Sequence, residues 1–511
     1  MKKNAFITGT LWLSGAGLIT RLLGFVYRIY LSNLVGSEGM GLYQLLVPVY
    51  FLLFTLCSSG IHMAVSRTVA SLRAGSQYHN MTRAVLAGLI PSCLLSLLLS
   101  VLLFRFADVV ALLLLREPRT AAGLRILCLS LPFCALSSAC KAYFHGMQQM
   151  AVPAVDQILE QLIRMGAVFF VLPLGRVHSL EQTCALMMAA TAAGDILSSL
   201  YVAGAFLHSR RKLGDRVPTL SYRSLFSSVL LLSLPVTGGR VLSQLLSCFE
   251  NIMLPSALRQ SGLSASQALS LFGVFSGMVM PILLFPSVLT GSLSANLLPL
   301  AAEAHSRGNF RLIHRCIDRV VRFTFLLAFL CTALLASLGD CIGSLLYPGT
   351  QAGSLLVLLA CFCPFLYLQG TLGGLLNGLG LQNDAFLHQL AANTLVVLSI
   401  LLLVPHWGFP AFLAGYLLSL VLSSALNLRQ LLVRFQHRLH LVKSVGLPLL
   451  SCLACVLTVR AFRLLTGDVH ASTLLFCTAA PAAVILFYLA TLLISGALTK
   501  KDLKQVLLLF H

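Results

Sequence analysis

Four arginines stand in stretches otherwise too apolar to carry them: Arg21 and Arg28 in GLITRLLGFVYRIYLSNLVG, Arg164 in AVPAVDQILEQLIRMG, and Arg240 in LPVTGGRVLSQ. A guanidinium is a planar fork that holds two phosphate oxygens at once, so several of them in one cavity suit an anionic headgroup. Arg21 and Arg28 are seven residues apart, about 700° of helix, which puts both on one face roughly 10 Å apart along the axis. Snorkelling to an interface is the competing reading, for Arg28 above all. Asp156, Glu160 and Arg164 recur at i, i+4 and i+8, with Gln157 and Gln161 beside them. That face is either a cavity wall, where Arg164 meets substrate and a carboxylate exchanges a proton or cation, or an internal ion-pair ladder offsetting its own burial. Asp195 in TAAGDILSS reads as a further coupling carboxylate or as a helix-to-helix hydrogen-bond partner. Glu250 follows Arg240 in CFENIMLP, and Pro235, Gly238 and Gly239 before that arginine permit a bend. Glu38 sits among Gly36, Gly39 and Gly41 and marks a hinge at a mouth or an exposed loop carboxylate. His62 reads as interfacial.

Other chemistry lacks its residues. HExxH, GxSxG and the phosphate-loop pattern GxxxxGK[ST] are absent, so no metalloprotease, serine hydrolase or ATP-driven pump is supported, and no metal, cofactor or enzymatic activity is expected. Cys452 and Cys455 have CxxC spacing but lie in an apolar stretch without neighbouring ligands and read as small hydrophobes. Uphill transport would draw on an H+ or Na+ gradient or on the membrane potential, worth about 2.3 kcal/mol per charge per 100 mV.

The elements that carry these residues must be membrane helices. Of 511 residues 58% are hydrophobic and only 10% charged, against about a quarter charged in soluble proteins. A mean hydropathy of +0.92 excludes a soluble enzyme, a disordered regulator and a nucleic-acid reader. A span needs roughly 20 apolar residues, and fourteen candidates emerge: 9–34, 42–63, 84–106, 123–146, 152–174, 182–207, 224–249, 267–290, 319–345, 353–378, 386–404, 409–432, 444–465 and 472–496. The predicted fold is an all-α polytopic membrane protein.

The formal charge of +20 comes from 35 Lys and Arg against 15 Asp and Glu. With the first residue inside, 23 cations, among them Arg67, Arg73, Lys141, Arg210 and Arg315, fall on the cytoplasmic side and 8, among them Arg116, Arg119 and Arg259, on the other, leaving the four within spans. Most of the excess is therefore topogenic, both termini are expected in the cytoplasm, and attraction to anionic membrane lipids is secondary. The first stretch is too long, and lacks a small-residue cleavage site, to read as a removable signal.

His208 to Arg223, HSRRKLGDRVPTLSYR, reads as a cytoplasmic linker at 208–223. It separates an N-lobe at 1–207 from a C-lobe at 224–432, with two further spans in 433–511. A single ungapped offset superimposes Pro132 on Pro364, Phe133 on Phe365, Leu136 on Leu368, Gly146 on Gly378, Gln157 on Gln389 and Pro173 on Pro405. It moves the chain by six spans, and an even shift preserves direction across the membrane. The lobes are thus parallel six-helix repeats, an arrangement that places a substrate site at their interface.

GLITRLLGFVYRIYLSNLVGSEGMGLYQLLVPVY and SSGIHMAVSRTVA, with PFCALSSACKAYFHGMQQMAVPAVDQILEQLIR and PFLYLQGTLGGLLNGLGLQNDAF, resemble the stage V sporulation protein B-like polysaccharide and lipid-linked oligosaccharide flippases. Their superfamily also holds the MurJ lipid II flippases and the MATE exporters. The resemblance implies a fourteen-span, alternating-access protein that carries an undecaprenyl-pyrophosphate-linked saccharide from the inner to the outer leaflet of the bacterial cytoplasmic membrane, for envelope or spore-cortex synthesis. Cell-wall or polysaccharide synthesis enzymes would be its partners, along with membrane lipids and no nucleic acid. TRLLGF places Arg21 at the first essential arginine of MurJ-like proteins, while Arg28 is displaced by about one residue from the second. His62 stands where relatives often have proline, and Glu250 where many have aspartate. The pyrophosphate would meet Arg21, Arg28, Arg164 and Arg240, with Glu38, Asp156, Glu160, Asp195 and Glu250 as coupling or gating carboxylates.

Three alternatives are distinguishable. A MATE-like drug or metabolite antiporter would favour cations and a cavity dominated by carboxylates. A major facilitator protein would show GxxxDRxGRR where this chain has SRTVASLRAGSQYHN. A glycan polymerase would need a large outer loop, and the segment near Arg105 to Gly123 is modest.

Overall fold

The computed structural model describes residues 2–174, 179–212, 219–440, 442–466 and 474–496. Linker residues 213–218 and the basic residues Lys500, Lys501 and Lys504 lie outside them. The regular structure of the described residues is all helical, without a strand. The main helices are α1 (Lys2–Phe54), α2 (Gly60–Ala74), α3 (Met81–Arg105), α4 (Ala121–Gly146), α5 (Ala151–Leu174), α6 (Leu180–Lys212), α7 (Tyr222–Gln260), α8 (Ala265–Phe272), α9 (Ser287–Ser306), α10 (Phe310–Leu346), α11 (Ala352–Leu359), α12 (Cys363–Gly378), α13 (Gln382–Leu402), α14 (Val404–Arg434), α15 (Leu447–Thr466) and α16 (Leu474–Ile494). Lipid leaves no water for a bare backbone, and helices satisfy their own.

Eleven helical stretches among the described residues are long and apolar enough to cross a membrane. The first, Gly15–Ala74, has 60 residues and merges two of the spans read from the sequence. Two further helices lie outside that number: α5, which carries Asp156, Glu160 and Arg164, and α16, an apolar helix of 21 residues.

The helices that hold the spans read as 42–63 and 267–290 run on beyond those bounds. The first continues through a π-helical turn at Thr55–Ser59 into α2, and the second runs through a turn at Phe285 and Pro286 into α9. Polar residues such as Arg67, Arg73 and Glu303 suggested loops, but helical hydrogen bonding continues beneath them. Likewise α6 reaches Lys212, so the segment read as a linker opens as helix.

By contacts the chain divides between Gly273 and Val274, which leaves α7 and α8 with the first unit. The lobes at 1–207 and 224–432 are a division by sequence repeat. In the first unit α4 is the hub, packed on α2, α3 and α6. Its buried face is mostly small: Ala135, Ser137, Ser138, Ala139, Cys140 and Ala142. Within lipid, where apolar transfer drives little association, such residues let backbones approach and gain dispersion contacts. Gly146 shows the tolerance: a Cβ there would lie 2.7 Å from the Ser66 carbonyl oxygen on α2. Gly194 does the same for α6, with the Glu160 carbonyl oxygen of α5 at 3.0 Å. Gly36 adopts φ 72°, a left-handed value open to glycine, and kinks α1. Beyond the kink, Gly41 and Gly273 pack directly against each other.

The second unit is built around α10, against which α9, α11, α12, α15 and α16 pack. Phe325, Phe329, Leu372, Leu375 and Leu376 belong to its core. A Cβ at Gly378 would come 2.7 Å from the Leu298 side chain on α9. The offset that carries Gly146 to Gly378 also carries Ser66 to Leu298, so the two contacts join the same pair of positions. The repeat thus extends from sequence into packing.

Candidate anion-binding cavity

In the first unit α1, α4, α5 and α6 enclose a cavity of about 280 Å³. That is room for a small charged group, below the roughly 300–1,000 Å³ of pockets that hold whole drug-sized ligands. Its cations are Arg28, Lys141 and Arg164; its carboxylates are Glu160 and Asp195. At Gly24, α1 lies beside α5, with the Gln161 side chain 3.7 Å from where a Cβ would stand. Arg28 is one turn farther along. Gly194 lets α6 close on α5 beside Arg164 and presents the adjacent Asp195.

Each charge but one has a counter-charge. Arg164 Nη2 donates to Glu160 Oε1 at 2.6 Å and stands 3.7 Å from Asp195 Oδ1. Tyr50 donates to Asp195 Oδ2 at 2.8 Å, which fixes that carboxylate from α1. Lys141 Nζ donates to Asp156 Oδ2 at 2.9 Å, and the Asp156 side chain is wholly buried. Arg28 has no ion-pair carboxylate among the described residues. The Asp156, Glu160, Arg164 face thus lines a cavity through Glu160 and Arg164 and carries internal ion pairs as well.

The remaining candidates lie elsewhere. Arg21 is exposed on α1 and lines neither this cavity nor the one that holds Arg240. Arg240 lines a separate pocket with His62, His145 and Arg67. Glu250 is half-buried on α7. Glu38 accepts from Arg119 at 2.8 Å and from Ser266 at 2.6 Å. Arg119 also donates to Glu117 at 2.7 Å, and Glu117 accepts from Arg259 at 2.9 Å. This chain of charges ties α1, the turn at Pro118–Thr120 and the end of α7 to the start of α8. Sequence reading had scattered its arginines among outer-side charges.

Sequence reading also missed Lys141, assigned to a cytoplasmic segment. It lies inside α4, more than a helical turn before the end. Its signal was the spacing of Cys134, Ser137 and Lys141 at i, i+3 and i+7, a single helical face that lines the cavity. Tyr50 left no such mark.

The second unit has a groove of about 470 Å³ lined by α15 and α16, including Cys455, Val459, Phe462 and Phe487. Among the described residues no charged side chain lines it.

Many membrane helices around a buried charged cavity define a multi-pass membrane transporter or flippase. The chain belongs to the polysaccharide biosynthesis protein family, whose pattern matches residues 6–305. It is 30% identical over 394 residues to "Stage V sporulation protein B" of Bacillus subtilis (strain 168), covering 76% of each chain. Its fold is that of "Lipid II flippase MurJ, inward closed conformation", with a TM-score of 0.70 at 15% identity over 94% of this chain and 97% of that one. An inward-facing "multidrug resistance MATE family transporter of the MOP superfamily" superimposes with a TM-score of 0.63 at 15% identity, over 84% and 98% of the two chains. These likenesses are to a flippase and a transporter rather than to an enzyme.

Proposed function

We propose that this protein is an alternating-access flippase that moves an undecaprenyl-pyrophosphate-linked saccharide from the inner to the outer leaflet for envelope or spore-cortex synthesis. The observation that carries this reading is the cavity where Arg28, Lys141 and Arg164 converge. Its size suits the pyrophosphate, while the prenyl chain stays in lipid and the saccharide follows the polar path. The bias of Lys and Arg supports an orientation with the Arg67 and Arg73 end in the cytoplasm.

In the resting arrangement Glu160 and Asp195 occupy Arg164. A pyrophosphate would compete with them for the guanidinium, and a carboxylate set free in a low-dielectric cavity takes up a cation or proton. Headgroup binding and ion binding are thereby linked, which supports coupling to an H+ or Na+ gradient or to the membrane potential. A cationic drug would meet three cations against two lining carboxylates, both turned to Arg164. That balance favours the flippase over the antiporter.

Proteoliposomes loaded with labelled lipid II, or with another polyprenyl-pyrophosphate glycan, test the proposal. Arg164→Gln and Arg28→Gln should each slow translocation by roughly tenfold or more, since hydrogen bonds to charged groups are worth about 1.5–3 kcal/mol. Full translocation by both variants at equal membrane abundance would sink it.

A further inference from the structure

The pocket around Arg240 is a site in its own right. It has a volume of about 380 Å³, and α2 contributes His62, Ser66 and Arg67, α4 contributes His145, and α7 contributes Arg240. Gln148 adds an amide just beyond α4. No carboxylate lines it among the described residues, whereas the cavity of Arg28 and Arg164 contains two. Arg67 and Arg240 are both exposed, so their guanidinium groups are available to a ligand. Lys141 and His145 are four residues apart on α4, roughly 6 Å along the axis. The two cavities therefore succeed one another along a single face of α4.

The imidazoles form a directed pair. His62 Nδ1 is 2.9 Å from the Ser138 carbonyl oxygen, which can only accept, so Nδ1 carries a proton. His62 Nε2 is 3.1 Å from His145 Nδ1. In the neutral pair His62 Nε2 accepts and His145 Nδ1 donates, which leaves His145 Nε2 bare. That atom is enclosed and has no hydrogen-bond partner. It is the one nitrogen that can take another proton while both hydrogen bonds persist. The charged and titratable groups around the pair are His62, His145, Arg67, Arg73, Lys141 and Arg240, with Asp156 turned to Lys141. A proton on His145 thus enters a cationic surrounding and is favoured by an anion in the pocket. By linkage the proton favours the anion equally.

We propose that this pocket is a second oxyanion site, which holds a phosphate or pyrophosphate group one helical turn of α4 from Lys141 and takes up one proton on the His62–His145 pair as it fills. On the flippase reading, on which only the identity of the carrier rests, it is the station the headgroup occupies before Arg28, Lys141 and Arg164.

The test is calorimetric titration of inorganic pyrophosphate into the purified protein in zwitterionic nanodiscs, in two buffers of different ionisation enthalpy. Two equivalents should bind, the proton-linked one taking up a proton on the imidazole pair in addition to any that a carboxylate freed from Arg164 takes up at the other. The Arg67→Gln, Arg240→Gln double variant should weaken the proton-linked equivalent by roughly tenfold or more and leave the other. Arg28→Gln with Arg164→Gln should do the reverse. His145→Gln should keep binding and abolish its proton uptake, which separates linkage from misfolding. Repeating the titration with undecaprenyl pyrophosphate, and in nanodiscs rich in phosphatidylglycerol, distinguishes the sources. Competition by the prenyl ligand supports a substrate station, and loss of the site to phosphatidylglycerol alone overturns it. A single equivalent unaffected by Arg67→Gln and Arg240→Gln, or uptake unchanged in His145→Gln, overturns the proposal. Intact binding here in a protein that moves no lipid would instead refute the flippase reading.

Discussion

The helices α4, α5 and α6 of the first unit and α12, α13 and α14 of the second share a frame and differ in what they carry. At the offset that takes Gly146 to Gly378, Asp156 corresponds to His388, Glu160 to Ala392, Arg164 to Val396, Lys141 to Gly373 and Asp195 to Asn427. The first set forms ion pairs around a cavity. In the second, His388 Nδ1 and Asn427 Oδ1 are joined at 2.9 Å, while Gln369 donates to Gln389 at 2.6 Å and Gln389 to Asn393 at 2.7 Å. At these positions one copy carries ion pairs and the other amides and an imidazole. The lesson is that packing positions and chemical positions in this repeat vary separately: Gly146 and Gly378 kept their role, while every charged residue of the cavity is replaced in the other copy.

Asp156→Ala probes the comparison most severely. It leaves the half-buried Lys141 without its carboxylate and should cost up to about 3–5 kcal/mol, read as a large fall in the thermal midpoint of the detergent-solubilised protein. Asn427→Ala removes a neutral partner and should cost about 1–3 kcal/mol. Equal losses would mean that charge is not what separates the two copies. Next in size, Gly146→Leu and Gly378→Leu should each overpack a helix crossing by about 1–3 kcal/mol. A loss at one glycine without the other would break the shared frame. Asp195→Asn gives the first copy the residue of the second and leaves Arg164 with Glu160. Pyrophosphate should bind roughly fivefold tighter, about 1 kcal/mol, because one competitor is gone; weaker binding would make Asp195 part of the anion site. Smallest of all, Gln389→Ala should cost about 1 kcal/mol of stability and leave pyrophosphate binding unchanged.

Much of this was legible from residue spacing. Asp156, Glu160 and Arg164 are one turn apart, and the periodicity of a helix alone puts them on one face. The repeat was visible because prolines and glycines govern where helices bend or touch, and Gly146 and Gly378 do touch neighbours. What stayed hidden depends on distant partners. His62 looked interfacial because its meaning comes from His145, 83 residues away. Glu117 drew no notice because the arginine that donates to it, Arg259, is 142 residues on. Lys141 was grouped with the topogenic charges because a charge near a helix end resembles a loop charge until Asp156 is seen beside it. Arg21 and Arg240 lie outside the cavity of Arg164: apolar sequence around a cation says that it is costly, not which cavity it faces.

The contact between Gly41 and Gly273 has a further meaning. Their separation along the chain equals that between Gly146 and Gly378, the interval of the repeat, so each meets its own counterpart. In a symmetric dimer the residue that touches its own copy is the one on the two-fold axis. A single polypeptide here retains that self-meeting contact, the form expected if two separate ancestral chains once paired through this glycine and were later joined end to end.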